Sequence, residues 1–226
     1  MILICAATEK EMQACLDPLG LAFPSLPVSP AGPWARRHGN LWLAHTGPGV
    51  PLTMARLMPL AASLRPELIV NIGIAGAYAG AALAIGDLVA GESEVFGDLG
   101  VEVPGAEAFR PISDFPWSDP IYRAPLSLSC EPWLGTASLR RGRGCTVNTC
   151  TGSAATGSLR RARFQVDFES MEGAAAALAG SELGIPVAEL RAISNIAAER
   201  EMRPEYFATA LRALGEFLGA WIGRNQ

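Results

Sequence analysis

The sequence predicts an α/β fold, a single-domain three-layer sandwich whose central mixed β-sheet is flanked by helices, and three observations predict it. Short apolar, β-branched runs alternate along the chain with Ala/Leu-rich helical stretches, which implies a mixed or parallel sheet with helices on both faces. Half of the 226 residues are apolar, enough for one substantial core in one domain over residues 1–226. No internal repeat or low-complexity linker divides the chain.

Element by element, residues 1–7 read as a fully buried strand, followed by a helix over Glu9–Leu16 that ends before Asp17-Pro18. Leu41–Thr46 is a strand closed by Gly47-Pro48-Gly49. The helix 51–64 carries Pro51 in its first turn, where a missing N–H costs nothing. Leu68–Ile72 is a strand running into a Gly-rich loop, and Gly86–Val95 is another strand. Between 97 and 142, Pro104, Pro111, Pro116, Pro120, Pro125 and Pro132 break any long periodic element, so loops with a short helix or two are expected. Arg140, Arg141 and Arg143 read as a solvated loop there, and Phe109, Phe115 and Trp117 as core or, as the alternative, pocket wall. Order returns at Cys145–Thr149, then a helix over 153–162, a strand near 164–168, a helix 172–184, a strand 187–192 and a final helix from Pro204 to Ile222.

Composition excludes several classes. A net charge of −4 with no extended basic stripe argues against nucleic acid as a partner. Five cysteines, with no C-x-x-C pair and only two histidines, argue against a disulfide framework or a metal site and for reduced, buried thiols in a cytoplasmic protein. The N-terminus lacks a basic segment and meets charge at Glu9, unlike a signal peptide. Leu68 to Gly86 is uncharged and about long enough to span a bilayer, and it contains Gly76-x-x-x-Gly80. It is rich in Ala and Gly, holds Asn71, and is flanked by Glu67 and Asp87, so a buried strand explains it better than a membrane span.

Four places carry polar groups at junctions between elements, where an α/β sheet presents its chemistry. Glu11 follows the first strand and can point into a crevice there, or serve as a solvated first-turn acid, as Glu9 does. Gly73-Ile74-Ala75-Gly76 follows a buried strand, and its glycines let a ligand approach the backbone amides or simply end the strand. Glu172 starts an Ala-rich helix, where a carboxylate can take both hydroxyls of a ribose or favour the helix terminus. Ser194-Asn195 follows a strand. The amide can pair with a purine edge or cap a turn.

Together, Ala7-Thr8-Glu9-Lys10-Glu11, Asn71 to Gly76, Ser170-Met171-Glu172 and Arg191-Ala192-Ile193-Ser194-Asn195 resemble the purine nucleosidase and nucleoside phosphorylase superfamily, specifically its hydrolytic branch. The resemblance implies Glu11 as the acid that activates water and Asn195 at the departing purine. It implies Ile74, Ala75, Gly76, Gly152, Met171, Glu172 and Ser194 as substrate contacts, with Glu172 on the 2′ and 3′ hydroxyls. It implies a small-molecule nucleoside substrate, no cofactor or metal, and a homodimer or higher homo-oligomer.

Two departures sharpen it. Phosphorylases of this fold carry an arginine to hold phosphate where this chain has Asn71, and Ser or Thr where it has Ile74. Losing such charge-assisted bonds, roughly 1.5–3 kcal/mol each, favours water as the nucleophile. Nucleosidases for methylthioadenosine and S-adenosylhomocysteine place Asp where this chain has Asn195. Ser194-Asn195, and more loosely Glu199-Arg200-Glu201, resemble the futalosine hydrolases, which release hypoxanthine on a route to menaquinone. The adenine-releasing nucleosidases and purine nucleoside phosphorylases remain the alternatives. A nucleoside binder without catalysis would have no need of both Glu11 and Glu172. For the carboxylate tail of futalosine, His45, Arg110 and the arginines of 140–143 are the candidate cations.

Overall fold

The computed structural model describes residues 1–104, 109–135, 138–198, 201 and 203–224. The chain runs β1 (Ile2–Ala6), α1 (Glu9–Leu16), β2 (Val28–Ser29), β3 (Gly32–His38), β4 (Leu41–His45) and α2 (Val50–Leu64). Next come β5 (Leu68–Ala77), β6 (Leu88–Phe96), β7 (Gly100–Glu102), β8 (Phe109–Pro111), β9 (Leu126–Ser127) and α3 (Glu131–Leu134). The last stretch holds β10 (Arg140–Thr146), α4 (Ala154–Phe164), β11 (Phe168–Ser170), α5 (Gly173–Leu183), β12 (Val187–Ile196) and α6 (Pro204–Arg224).

Among the described residues, ten strands form one mixed sheet in the order β11-β10-β6-β12-β5-β1-β4-β3-β2, with β9 on β6. β4, β1, β5 and β12 run parallel, and β6 lies antiparallel to β12. β11 pairs with β10 and also, antiparallel, with the far end of β5, so that β5, β12, β6, β10 and β11 close into a ring.

Strand periodicity sorts the core into two layers. Ile4, Val70, Ile72, Ala188 and Leu190 face Met12 and Leu16 of α1 and Leu214, Leu218 and Ile222 of α6. Their neighbours Leu3, Cys5, Ile69 and Val187 face Leu57, Leu60 and Ala61 of α2 and Ala176 and Ala179 of α5. Each fully buried Leu or Ile contributes about 1.5–3 kcal/mol, so these facing rows hold helices on both sides of the sheet. Burial pushes the Cys5 and Cys130 thiols up to about 11, and all five cysteines are unbridged. No helix among the described residues is long and apolar enough to cross a membrane.

The structure differs from the sequence reading in five places. β5 continues through Gly73-Ile74-Ala75-Gly76 rather than stopping at Ile72, because β12 on one side and β11 on the other complete its ladder. For the same reason β12 runs to Ile196 and contains Ser194 and Asn195. The strand expected near 164–168 is Phe168–Ser170, since α4 extends to Phe164. Arg140, Arg141 and Arg143 belong to β10, alternating with buried Gly142 and Gly144, rather than to a loop. The middle contains the β7–β8 hairpin, and its aromatics are not core: Phe115 and Trp117 stack on each other, and Trp117 is 67% exposed. Part of the expected Glu199-Arg200-Glu201 continuation lies outside the described residues.

Candidate active site

A cavity of about 230 Å³ opens where the ends of β1, β5 and β12 meet the crossing strand β11. This is the place where strand direction changes in the sheet, the usual location of ligand sites in such folds. Thr8, Lys10 and Glu11 line it from the start of α1, and Ile74, Ala75 and Gly76 from the end of β5. Glu169 to Glu172, Ser194 and Asn195 of β12, and Phe207 and Leu211 of α6 complete the lining. Every site residue expected from the sequence lines this cavity except Gly152, which is exposed with nothing packed against it. Its neighbours Cys150 and Thr151 line the cavity instead.

Glu11 serves two ends at once. Thr8 caps α1 and forms a reciprocal capping box with it: the Thr8 hydroxyl accepts from the Glu11 N–H, and Glu11 Oε2 accepts from the Thr8 N–H and hydroxyl at 2.9 and 2.7 Å. The other oxygen, Oε1, accepts from the Ile74 N–H at 3.1 Å. The helix-terminus role foreseen for this acid is real, yet the carboxylate is buried and faces the cavity. Gly73 lies beside it: a β-carbon there would stand 2.7 Å from Glu11 Oε1 and 2.5 Å from Arg191 Nη1, so a larger residue would displace one of these side chains.

Glu172 occupies the N-cap position of α5, but its carboxylate makes no cap hydrogen bond. Oε1 instead accepts from the Gly49 N–H at 2.9 Å, presented by a turn in which Gly49 has φ +84°. Oε2 lies 3.7 Å from Nη1 of Arg191. Burial pushes the Glu172 carboxyl up, opposed by the Arg191 charge and the Gly49 N–H.

Arg191 is the residue that the motif reading quoted but did not place in the site. Its side chain is fully buried, held by Glu189 Oε1 at 2.7 Å from Nε and by Asn71 Oδ1 on Nη2. The Glu189 and Glu172 charges outweigh the cost of burial, so its pKa is raised and it stays a cation. Nη1 alone has no hydrogen-bond acceptor within reach among the described residues. It lies 3.7 Å from Glu172 Oε2, on the side of Gly73 that Glu11 Oε1 also approaches. The sequence did hold a signal: an acid and a base two apart in an apolar strand share one face and must meet a partner. Asn71 does not line the cavity; it is fully buried, and its Oδ1 accepts from Arg191 Nη2.

Ser194 and Asn195 are consecutive in β12 and both line the cavity, although successive strand residues normally face opposite sides. The pairing with β5 slips between Ile193 and Asn195, and this bulge turns both inward. Ser194 Oγ donates to Asn195 Oδ1 at 3.1 Å, which directs Nδ2 over Gly76. Nδ2 donates at 3.3 Å to the Ile196 carbonyl, leaving its second hydrogen for a ligand.

Glu169, also missed, lines the cavity but is committed to Thr151 (N–H 2.8 Å, hydroxyl 2.5 Å) and Tyr78 (3.0 Å), anchoring the 150–151 loop. None of His45, Arg110, Arg140, Arg141 and Arg143 lines the cavity. Lys10, the single lysine of the sequence, does.

Residues 1–220 match the phosphorylase superfamily. The chain belongs to this superfamily. Within it, a futalosine hydrolase of Streptomyces coelicolor is 34% identical over 154 residues, 68% of this chain and 64% of that protein, so the match spans just under two thirds of the relative's length. The solved futalosine hydrolase of Helicobacter pylori superposes with a TM-score of 0.79 at 18% identity, covering 99% of this chain and 97% of that one. A mutant methylthioadenosine nucleosidase of the same organism, with 5′-methylthioadenosine in its active site, gives 0.81 at 19% identity over 99% and 98%. These likenesses establish the superfamily fold, and with it the α/β architecture expected from the sequence.

Proposed function

We propose that this chain hydrolyses the N-glycosidic bond of futalosine, releasing hypoxanthine and dehypoxanthine futalosine on a route to menaquinone. One observation carries the hydrolytic reading. Two carboxylates, Glu11 and Glu172, face one cavity, while the buried Arg191 is engaged by Glu189 and Asn71 and does not line it. Such a site suits water better than phosphate. The likeness to the Streptomyces futalosine hydrolase supports the choice of substrate.

In this mechanism Glu172 accepts the 2′ and 3′ hydroxyls and sets the anomeric carbon against a water that Glu11 holds in the cavity. As the bond from C1′ to the purine nitrogen lengthens, positive charge grows on the ribosyl centre, where the two carboxylates stabilise it. The water oxygen bonds to C1′, its proton passes to Glu11, and the electron pair leaves with the base. Asn195 Nδ2 donates a hydrogen bond to O6 or N7 of the departing hypoxanthine. An amide is no general acid, so the base takes its proton from solvent. Lys10, at the rim, is the cation we assign to the tail carboxylate. A cytoplasmic homodimer is part of the same proposal.

The test is phosphate-free incubation with futalosine and, separately, methylthioadenosine, with chromatographic detection of the free base. Hypoxanthine from the first and little adenine from the second is expected. Adenine instead would assign the chain to the methylthioadenosine nucleosidases, and turnover only with added phosphate would assign it to the phosphorylases.

A further inference from the structure

Beneath the first turn of α5 lies a carboxyl pair that takes no part in the chemistry above. Glu94 of β6 and Glu189 of β12 are both fully buried. A β-carbon on Gly173 would overlap Oε1 of Glu94 and Oε1 of Glu189 alike, so the two carboxyls flank a single point. Glu94 Oε1 and Glu189 Oε2 are each buried without a hydrogen-bond donor among the described residues. Two adjacent carboxyls in a dry site cannot both ionise, and one proton retained on Glu94 Oε1 would turn that orphaned acceptor into a donor facing Glu189.

Their other partners decide which carboxyl keeps it. Glu189 is paired with the Arg191 guanidinium at 2.7 Å. Glu94 receives only the Thr146 hydroxyl at 2.9 Å, whose oxygen in turn accepts the Ala174 N–H at 2.7 Å. A guanidinium stabilises a carboxylate far better than a hydroxyl does. We propose that Glu94 is a neutral acid donating its proton to Glu189, so that the pair carries one negative charge, which holds Arg191 and leaves Glu172 free for the sugar hydroxyls. Both are positioning residues, acting on the cavity through Arg191. The titratable and charged groups facing Glu94 are Glu189 and Arg191 from β12 and Cys145 from β10. Burial first, then the Glu189 charge, push the Glu94 carboxyl well up, the same direction as the geometry.

The consequence for Glu172 rests on the proposed nucleoside hydrolysis, whereas the position of the proton does not. Infrared spectroscopy of the wild-type protein and Glu94→Gln at neutral pH tests the proton directly: a carbonyl band of a buried protonated acid is expected in the first and absent in the second. Kinetics on futalosine and its 2′-deoxy analogue test the coupling. Gln at 94 offers the same donor to Glu189, so kcat/KM should stay within about threefold, less than the worth of one hydrogen bond. Glu189→Gln lets Arg191 close on Glu172, and should lower kcat/KM on the ribonucleoside roughly 10–100-fold, as loss of an outer-shell partner does. It should also narrow the preference for ribose over deoxyribose, which a packing defect would leave unchanged. Absence of the band, or Glu94→Gln as damaging as Glu189→Gln, would overturn the shared proton. An unaltered ribose preference in Glu189→Gln would overturn the coupling. Should Glu189→Gln not fold, the same ratio in Glu189→Asp decides. Wild-type protein silent on futalosine but showing the band would sink the proposed function and leave the proton in place.

Discussion

Glu11 and Glu172 face the same cavity, and they are anchored in opposite ways. Glu11 is fixed by Thr8, three residues away, so its anchor forms as α1 forms. Glu172 is fixed by Gly49, 123 residues earlier, and by Arg191, which depends in turn on Glu189 and Asn71. The first carboxylate is a local feature turned to a second use. The second exists as a site only once the sheet has assembled, so distant substitutions reach it more easily. Chemistry at the local carboxylate can therefore be removed with the least damage to the fold. Glu11→Gln keeps one acceptor oxygen, enough for the Thr8 N–H or the Ile74 N–H but not both, and loses the base. It is expected to lower kcat by about 10²–10⁴-fold while leaving the thermal midpoint within a few degrees. Turnover within a few-fold of wild type would remove Glu11 from the role of base.

Asn195 tests the far end of the cavity, where the comparison is between an amide and an acid on the same bulge. Asn195→Asp replaces the free N–H by an acceptor, which a 6-oxopurine cannot satisfy and a 6-aminopurine can. Leaving a buried polar group unpaired costs about 1–3 kcal/mol, so the preference for hypoxanthine over adenine nucleosides should fall roughly 5–100-fold. Measured kcat/KM for futalosine and methylthioadenosine gives the ratio. An unchanged ratio would mean that Asn195 does not read the base.

The local and the long-range anchors also differ in how far the sequence discloses them. The bounds of α1 are legible because Thr8 caps it and Asp17-Pro18 stops it, all within one short segment. The helices over Val50–Leu64 and Pro204–Arg224 follow their apolar periodicity in the same way. Gly73 to Gly76 and Ser194-Asn195 have the composition of turns, and only ladder partners from distant segments keep them extended. The arginines of β10 look like loop because their strand alternates exposed Arg with Gly rather than with apolar residues. Glu11, Glu172 and Asn195 could be named from motifs that resemble a family. The Glu94–Glu189–Arg191 support could not, although Glu189 and Arg191 in an apolar strand were a readable warning of a buried pair.

Burial gives the long-range carboxylate a pH signature. The folded-state pKa of Glu172 is raised above the ordinary 4.5, so between those two values the folded chain holds a proton that the unfolded chain has lost. Stability from this group is therefore full below that window and declines as pH rises through it, by up to about 1.4 kcal/mol per pH unit. Glu94 contributes with the same sign, so the wild type and Glu172→Gln are compared by urea unfolding across the acid range, and the variant should show the shallower decline. Activity runs the other way: Glu172 must be ionised to take two hydroxyls, so the acidic limb of kcat/KM should lie above the ordinary carboxylate range. Identical slopes for wild type and variant would show that Glu172 is not perturbed.

Lys10 sets the rim against the interior. It is one residue from Glu11 on the same helix, yet it is exposed and has no ion-pair partner among the described residues, while Arg191 is sealed and paired. A charge in water acts through a high dielectric and is screened by salt, so a tail carboxylate meeting Lys10 should gain only about 0.2–1 kcal/mol. Lys10→Met is thus expected to raise KM for futalosine by about 1.5–5-fold, leave kcat unchanged, and lose its effect at high ionic strength. Inosine has the same base and sugar without the tail, and its KM should not move. Equal losses on both substrates would place Lys10 outside tail recognition. A much larger loss confined to futalosine would mean that the tail buries Lys10 as it binds, which would make the rim of this cavity as dry as its floor.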